Sequence, residues 1–141
     1  MRFRKLAAVL LVAALAMPAL APAAAAAETD PLFVNMTTDN GHRARMALAF
    51  SQNQAERKHP VAVFLNDRGV LVGSKAHAKK FKSQQEQLQA LVKGGATVLV
   101  CPMCMKHYGV KEADLIEGLK VGNPELVGGA LFRDGTKTLT W

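Results

Sequence analysis

In Ala96-Thr97-Val98-Leu99-Val100-Cys101-Pro102-Met103-Cys104 a β-forming run gives way within one residue to a helix start. The branched side chains of Val98 and Val100 suit a pleated strand. Pro102, with φ already fixed and no N–H to leave unpaired, suits the first position of a helix. A strand that feeds a helix directly marks an α/β chain, and the same alternation extends in both directions. Upstream, Val61-Ala62-Val63-Phe64-Leu65 follows Pro60 as a near-continuous apolar run, the composition of a strand covered on both faces. Leu32-Phe33-Val34-Asn35-Met36 after Pro31 is another strand. Thr37-Thr38-Asp39-Asn40 then offers N-caps for a helix over residues 41–57, with Ala44, Ala47, Leu48 and Ala55 on one face.

Asp67-Arg68-Gly69 turns the chain after the 61–65 strand, and a loop rich in Gly, Lys and His covers residues 73–80. Ser83-Gln84-Gln85-Glu86 has the form of a capping box and predicts a helix starting there. Phe81, Leu88, Leu91 and Val92 line its apolar stripe, and Gly94-Gly95 ends it in the left-handed conformation. Downstream of Cys104 the pattern predicts a short helix to about Gly109, a helical stretch over 113–119, a helical or mixed segment over 124–132 and an edge strand over 136–141. Strands separated by helices give a parallel sheet covered on both faces, with right-handed crossovers.

The first residues read as an address rather than as structure. Arg2, Arg4 and Lys5 form a basic n-region, residues 6–17 are an unbroken apolar run, and Ala25-Ala26-Ala27 fits the small-x-small rule before a cleavage site. We expect residues 1–27 to be a signal peptide and residues 28–141 to be the folded α/β domain. Pro18, Pro22 and the weakly hydrophobic alanines argue against an uncleaved anchor, so no stable membrane span is expected after cleavage. The destination is then periplasmic or secreted, and oxidising.

Of the 141 residues, 114 remain after cleavage, enough for one core and not for two domains. Half of the chain is hydrophobic and 21% is charged, which excludes general disorder, collagen-like repeats and coiled coils. The net charge of +7 falls to +4 once Arg2, Arg4 and Lys5 are removed, an excess too modest to demand DNA or RNA. With one Trp and one Tyr there is no stacking platform for single strands, so no nucleic acid is expected. Dinucleotide, nucleotide and zinc-protease motifs are missing, and the reading requires no cofactor.

Chemistry concentrates at the end of the third strand. Sites in open α/β sheets form beyond the carboxyl ends of strands. Cys101 lies at such an end, at or beside an N-cap, where free N–H groups and the helix dipole lower a thiol pKa from roughly 8.5 into the range of about 3.5 to 7.5. Cys104 follows one helical turn later on the same face and can reach it. These are the only two cysteines in the chain. A static disulfide closing so short a loop is a weak staple.

The run Met46-Ala47-Leu48-Ala49-Phe50, the strand and turn Val61-Ala62-Val63-Phe64-Leu65-Asn66-Asp67-Arg68-Gly69-Val70, and Cys101 followed eight residues later by Gly109-Val110 together resemble the DsrE/DsrF/TusD-like family over nearly all of the mature chain. The resemblance implies a three-layer α/β/α sandwich with a mainly parallel sheet of about five strands, and assembly into trimers or hexamers. In the sulfur-relay members it also implies one cysteine that carries sulfane sulfur as a persulfide, and Cys101 matches that cysteine by position. The chain then reads as an exported sulfur carrier or sulfurtransferase. Its partners are sulfur donor and acceptor proteins or small sulfur compounds. Cys104 is a resolving thiol that attacks and discharges the persulfide.

Two other classes compete. In a soft-metal module, Cys101 and Cys104 hold Cu(I) with help from Met103 or His107, and Met105 is a further soft donor. A thiol-disulfide redox protein also uses CxxC, but a thioredoxin-like fold places that motif after an early strand, and here two β-α units precede it. Lys106 and His107 supply positive potential for an anionic sulfur compound, or are solvated helix residues. His42, Arg43 and Arg45 open the first helix on the same sheet edge as Cys101. The basic loop with Lys75, His77, Lys79, Lys80 and Lys82 reads as surface or as a docking segment for an acidic partner.

Overall fold

A computed structural model describes residues 29–141. The expected signal peptide lies outside the described residues. Five strands form one sheet, β1 (Leu32–Met36), β2 (Val61–Leu65), β3 (Thr97–Val100), β4 (Lys120–Val121) and β5 (Lys137–Thr140), in the spatial order β4-β3-β2-β1-β5 with every pairing parallel. The helices are α1 (Gly41–Glu56), α2 (Ala78–Lys93), α3 (Pro102–Tyr108) and α4 (Pro124–Leu131).

From β1 to β4 the chain steps outward across the sheet, and then it returns past β1 to place β5 on the other edge. Right-handed crossovers keep the helices of the outward steps on one face and send the returning helix to the opposite face. The core agrees. Leu32, Val34, Met36, Val61, Val63, Leu65, Val98 and Val100 point to the first face and pack with Ala44, Ala47 and Leu48 of α1 and Phe81, Leu88 and Leu91 of α2. Met105 of α3 joins the same cluster. Phe33 and Phe64 alternate to the second face, where Val127 and Leu131 of α4 lie over them. The α/β/α sandwich expected from the sequence is the architecture found.

Buried amides fix α2 against the loops around it. Gln85 Nε2 donates to the carbonyls of Val72 (3.0 Å) and Ser74 (2.8 Å), and Gln84 Nε2 donates to Gly41 O (2.8 Å) at the start of α1. Each bond pairs a carbonyl that would otherwise be costly to leave without a partner away from water.

Two boundaries differ from the sequence reading. Helix α2 begins five residues before the expected capping box, through a kink at Phe81 (φ −116°, ψ 25°), and the Ser83 hydroxyl donates to Gln84 Oε1 instead of capping a helix end. Burial of Phe81 against the sheet outweighs the local signal from Ser83 and Glu86. The helix expected over 113–119 is a single 3-10 turn, Glu112–Asp114, followed by the two-residue β4. Gly118 has φ +86°, a conformation that ends helical structure there.

Candidate functional site

The loops after β2 and β3 meet above the carboxyl end of the sheet, and each is locked by its own sequence. After β3, Cys101 is the N-cap of α3, with Pro102 at the first helical position and Gly109 closing the helix at φ +69°. Its Sγ accepts the backbone N–H of Cys104 at 3.3 Å, the bond a capping serine oxygen would otherwise make. Gly122 N–H donates to Val100 O (2.8 Å), so the exit from β4 lies directly beside that of β3. Since β3 leads to one face and β4 to the other, Cys101 stands at the switch point of the sheet, where open α/β folds place their ligands.

After β2 the chain makes a 3-10 turn over Asp67–Leu71. Gly69 is required here: a Cβ at that position would lie 2.1 Å from Met36 O. The turn thus packs flush on the end of β1. Asp67 has φ +44°, a left-handed conformation that a residue with a Cβ adopts at some cost and that marks a loop held by its surroundings.

Those surroundings are the second cysteine and a charged chain. Cys104 Sγ donates to Asn66 Oδ1 (3.0 Å) and accepts from the Asp67 backbone N–H (3.2 Å), which also meets Asn66 Oδ1 (2.9 Å). The Tyr108 hydroxyl donates to the Asp67 carboxylate. The Arg68 guanidinium lies over the Tyr108 ring, 5.7 Å from its centroid, and forms a two-pronged ion pair with Asp39, both bonds at 2.9 Å. Lys80 adds a second cation to Asp39 at 3.1 Å. Arg68, more than Lys80, holds the Asp39 carboxyl far below the usual carboxylate range, and burial opposes this without reversing it. Burial is the main cause that raises the Cys104 thiol above its ordinary pKa, and the adjacent Cys101 sulfur adds to it. The Asp67 N–H pulls the other way. The Tyr108 phenol is also raised, chiefly because it donates to the Asp67 carboxylate.

Both cysteines are half-buried and are free thiols. Of the residues around them that the sequence singled out, Met105 is core, whereas Met103 is 81% exposed with its side chain in solvent. His107 is exposed and meets the Tyr108 ring edge-on at 4.7 Å, and Lys106 is exposed. Among the described residues no group of three or more His, Cys, Asp or Glu side chains is gathered. His42, Arg43 and Arg45 are exposed on α1, which does open at this sheet edge. In the basic loop, Lys75 caps Ala113 O (3.1 Å) and Lys80 pairs with Asp39, while Lys79 and Lys82 face solvent.

Asn66, Asp67, Tyr108 and Asp39 were not among the candidates drawn from the sequence. The rule that placed a site at the end of β3 applies equally to the end of β2, its neighbour in the sheet, and Asn66-Asp67 is the polar pair found there.

The sequence model of the DsrE/DsrF-like family matches residues 31–135. An uncharacterized protein of Methanocaldococcus jannaschii, MJ0989, is 38% identical over 80 residues, which cover 56% of this chain and 70% of that protein. The uncharacterized protein MK0008 of Methanopyrus kandleri is 32% identical over 80 residues, 56% of this chain and 66% of its own length. Among solved structures, a protein of unknown function from Methanobacterium thermoautotrophicum, MTH1491, has a TM-score of 0.64 at 17% identity, covering 79% of this chain and 99% of that one. The ychN protein of E. coli has a TM-score of 0.62 at 18% identity, covering 80% and 99%. At these identities the two structures speak to the fold. Among the described residues no helix is long and apolar enough to cross a membrane.

Proposed function

The chain belongs to the DsrE/DsrF-like family, and from that premise we propose that it is an exported sulfur carrier in which Cys101 accepts sulfane sulfur as a persulfide. The observation that carries the reading is the seat of Cys101: a half-buried N-cap at the switch point, with its sulfur on a backbone N–H and a second thiol one turn away. In the loading step, the Cys101 thiolate attacks a terminal sulfur of a polysulfide. The new bond is Cys101 Sγ–S, the donor's S–S bond breaks, and the shortened polysulfide leaves with the electron pair. The Cys104 N–H directed at Sγ is in place to donate to the attacking thiolate.

Cys104 is the resolving thiol of this scheme. As a thiolate it attacks Cys101 Sγ, a Cys101–Cys104 disulfide forms, and the outer sulfur leaves as hydrosulfide, so that two thiol sulfurs are oxidised and the sulfane sulfur is reduced. Export follows from the basic and apolar residues at the start of the sequence. We expect a homo-oligomer, trimer or hexamer. Exposed apolar side chains stand on both layers, Met46 and Phe50 on α1 and Leu126 and Phe132 at α4, and each pair is a candidate contact.

Intact mass spectrometry of the reduced protein after exposure to polysulfide tests the carrier role. Gain of sulfur atoms reversed by a reductant is expected, and an unchanged mass refutes it. Recovery of exported protein that still begins at Met1 refutes cleavage after Ala27. A monomeric mass by light scattering at micromolar concentration refutes assembly.

A further inference from the structure

Cys104 is not a bystander waiting to attack. Its sulfur is held between two groups of the β2 exit, the amide oxygen of Asn66 at 3.0 Å and the backbone N–H of Asp67 at 3.2 Å. An amide oxygen can only accept, so that contact requires the proton to stay on the sulfur. The Asp67 N–H favours the thiolate instead. We propose that Asn66 is a positioning residue that keeps Cys104 a thiol, and so delays its attack on a persulfide carried by Cys101. The proposal rests on the carrier reading above.

The placement of Asn66 is set independently of either cysteine. Its own N–H donates to Met36 O (2.9 Å), its carbonyl accepts from Gly69 N–H (2.8 Å), and its side chain caps the 3-10 turn. Gly69 brings this turn so close to the end of β1 that a Cβ there would lie 2.1 Å from Met36 O. The other charged or titratable groups facing Cys104 are Cys101 at the head of its own helix and the Asp67 carboxylate, which disfavours a thiolate. Tyr108 and Arg68 stand behind Asp67, and Lys106 and His107 lie on the solvent side of α3. Burial, Cys101 and the Asp67 carboxylate act in the same direction as Asn66.

Discharge then requires the Cys104 proton to leave the sulfur for water, which breaks the hydrogen bond to the Asn66 oxygen. The thiolate attacks Cys101 Sγ, the Cys101–Cys104 bond forms, the bond to the outer sulfur breaks, and hydrosulfide departs and takes up a proton. A carrier needs this delay, because immediate discharge would release sulfide before an acceptor arrives.

The test uses Asn66→Ala and Asn66→Asp. The first removes the acceptor. The second keeps an oxygen in place, preserves the cap of the turn, and strengthens the hold on the S–H by its charge. Alkylation of Cys104 by iodoacetamide is followed against pH in a Cys101→Ser background. Persulfide lifetime on Cys101 is followed by mass spectrometry in the two-thiol protein after polysulfide loading. Loss of one such hydrogen bond predicts alkylation about three- to tenfold faster below neutral-to-mild alkaline pH in Asn66→Ala, and a persulfide lifetime shortened by a similar factor. Asn66→Asp moves both in the opposite direction. A merely structural role would shift both variants the same way, and that result, or no shift in either, overturns the proposal. A chain that takes up no sulfur refutes the carrier reading, while the alkylation profiles, which need no persulfide, still decide whether Asn66 holds the Cys104 proton.

Discussion

The two faces of the sheet are built differently. Under α1 and α2 the first face is closed: Leu48, Leu88, Val34, Met36, Val63 and Leu65 are fully buried, and two glutamine amides pair the carbonyls at its margin. Over the second face lies a single eight-residue helix, α4, with two adjacent glycines and no buried residue of its own, and Phe132 at its end is 81% exposed. The first face holds the fold together, and the second is only partly covered. Cys101 sits where the crossovers change from one to the other, with the exits of β3 and β4 side by side. A site there draws rigidity from the closed face and access from the open one.

Substitutions should separate these contributions in a graded order. Leu88→Ala opens a cavity between α2 and the sheet and should cost about 2–5 kcal/mol in chemical denaturation. A loss below about 1 kcal/mol would mean that the first face is not the structural one. Gly69→Ala forces a methyl group against the Met36 carbonyl and should cost about 1–3 kcal/mol. It should also speed alkylation of Cys104 by shifting the turn that carries Asn66, and unchanged stability would show the close approach to be dispensable.

Asp39→Asn should cost about 1 kcal/mol at neutral pH, the upper range for an ion pair whose Arg68 and Lys80 partners are half in solvent. The Asp39 carboxyl is depressed in the folded protein, so its contribution is complete above the unfolded value of about 3.9 and is lost as pH falls below it toward the folded value. The stability difference between wild type and Asp39→Asn should therefore shrink on acidification through that window, and a difference constant down to the acid limit would contradict the pairing. Phe132→Ala on the open face should change the stability of the isolated chain by no more than about 0.5 kcal/mol. If that face mediates assembly, the same variant lowers the mass seen by light scattering, and a large stability loss with unchanged mass would reverse the roles of the two faces.

Much of the closed face was legible because its signals are periodic. Strand runs at 32–36 and 61–65 and the stripe through Ala44, Ala47 and Leu48 depend on burial, which the sequence expresses directly. Cys101 was legible for a different reason: Val100, Cys101 and Pro102 encode a strand end and a helix start in three consecutive residues. The start of α2 was not, because Ser83 and Glu86 signal a local cap while the burial of Phe81 is a tertiary fact. Nor was β4, whose two residues owe their strand geometry to pairing with Leu99 and Val100. Asn66 and Tyr108 escaped because each acts across 38 or more positions of chain, on Cys104 and Asp67 respectively, and no spacing rule spans that distance.

The central claim is that Cys101 carries the sulfur and Cys104 removes it. Intact mass spectrometry of the wild type, Cys101→Ser and Cys104→Ser after identical polysulfide treatment tests it most directly. The account predicts no added sulfur on Cys101→Ser, and on Cys104→Ser sulfur that outlasts that of the wild type. Equal loading of the two variants, or loading lost from Cys104→Ser alone, would contradict it.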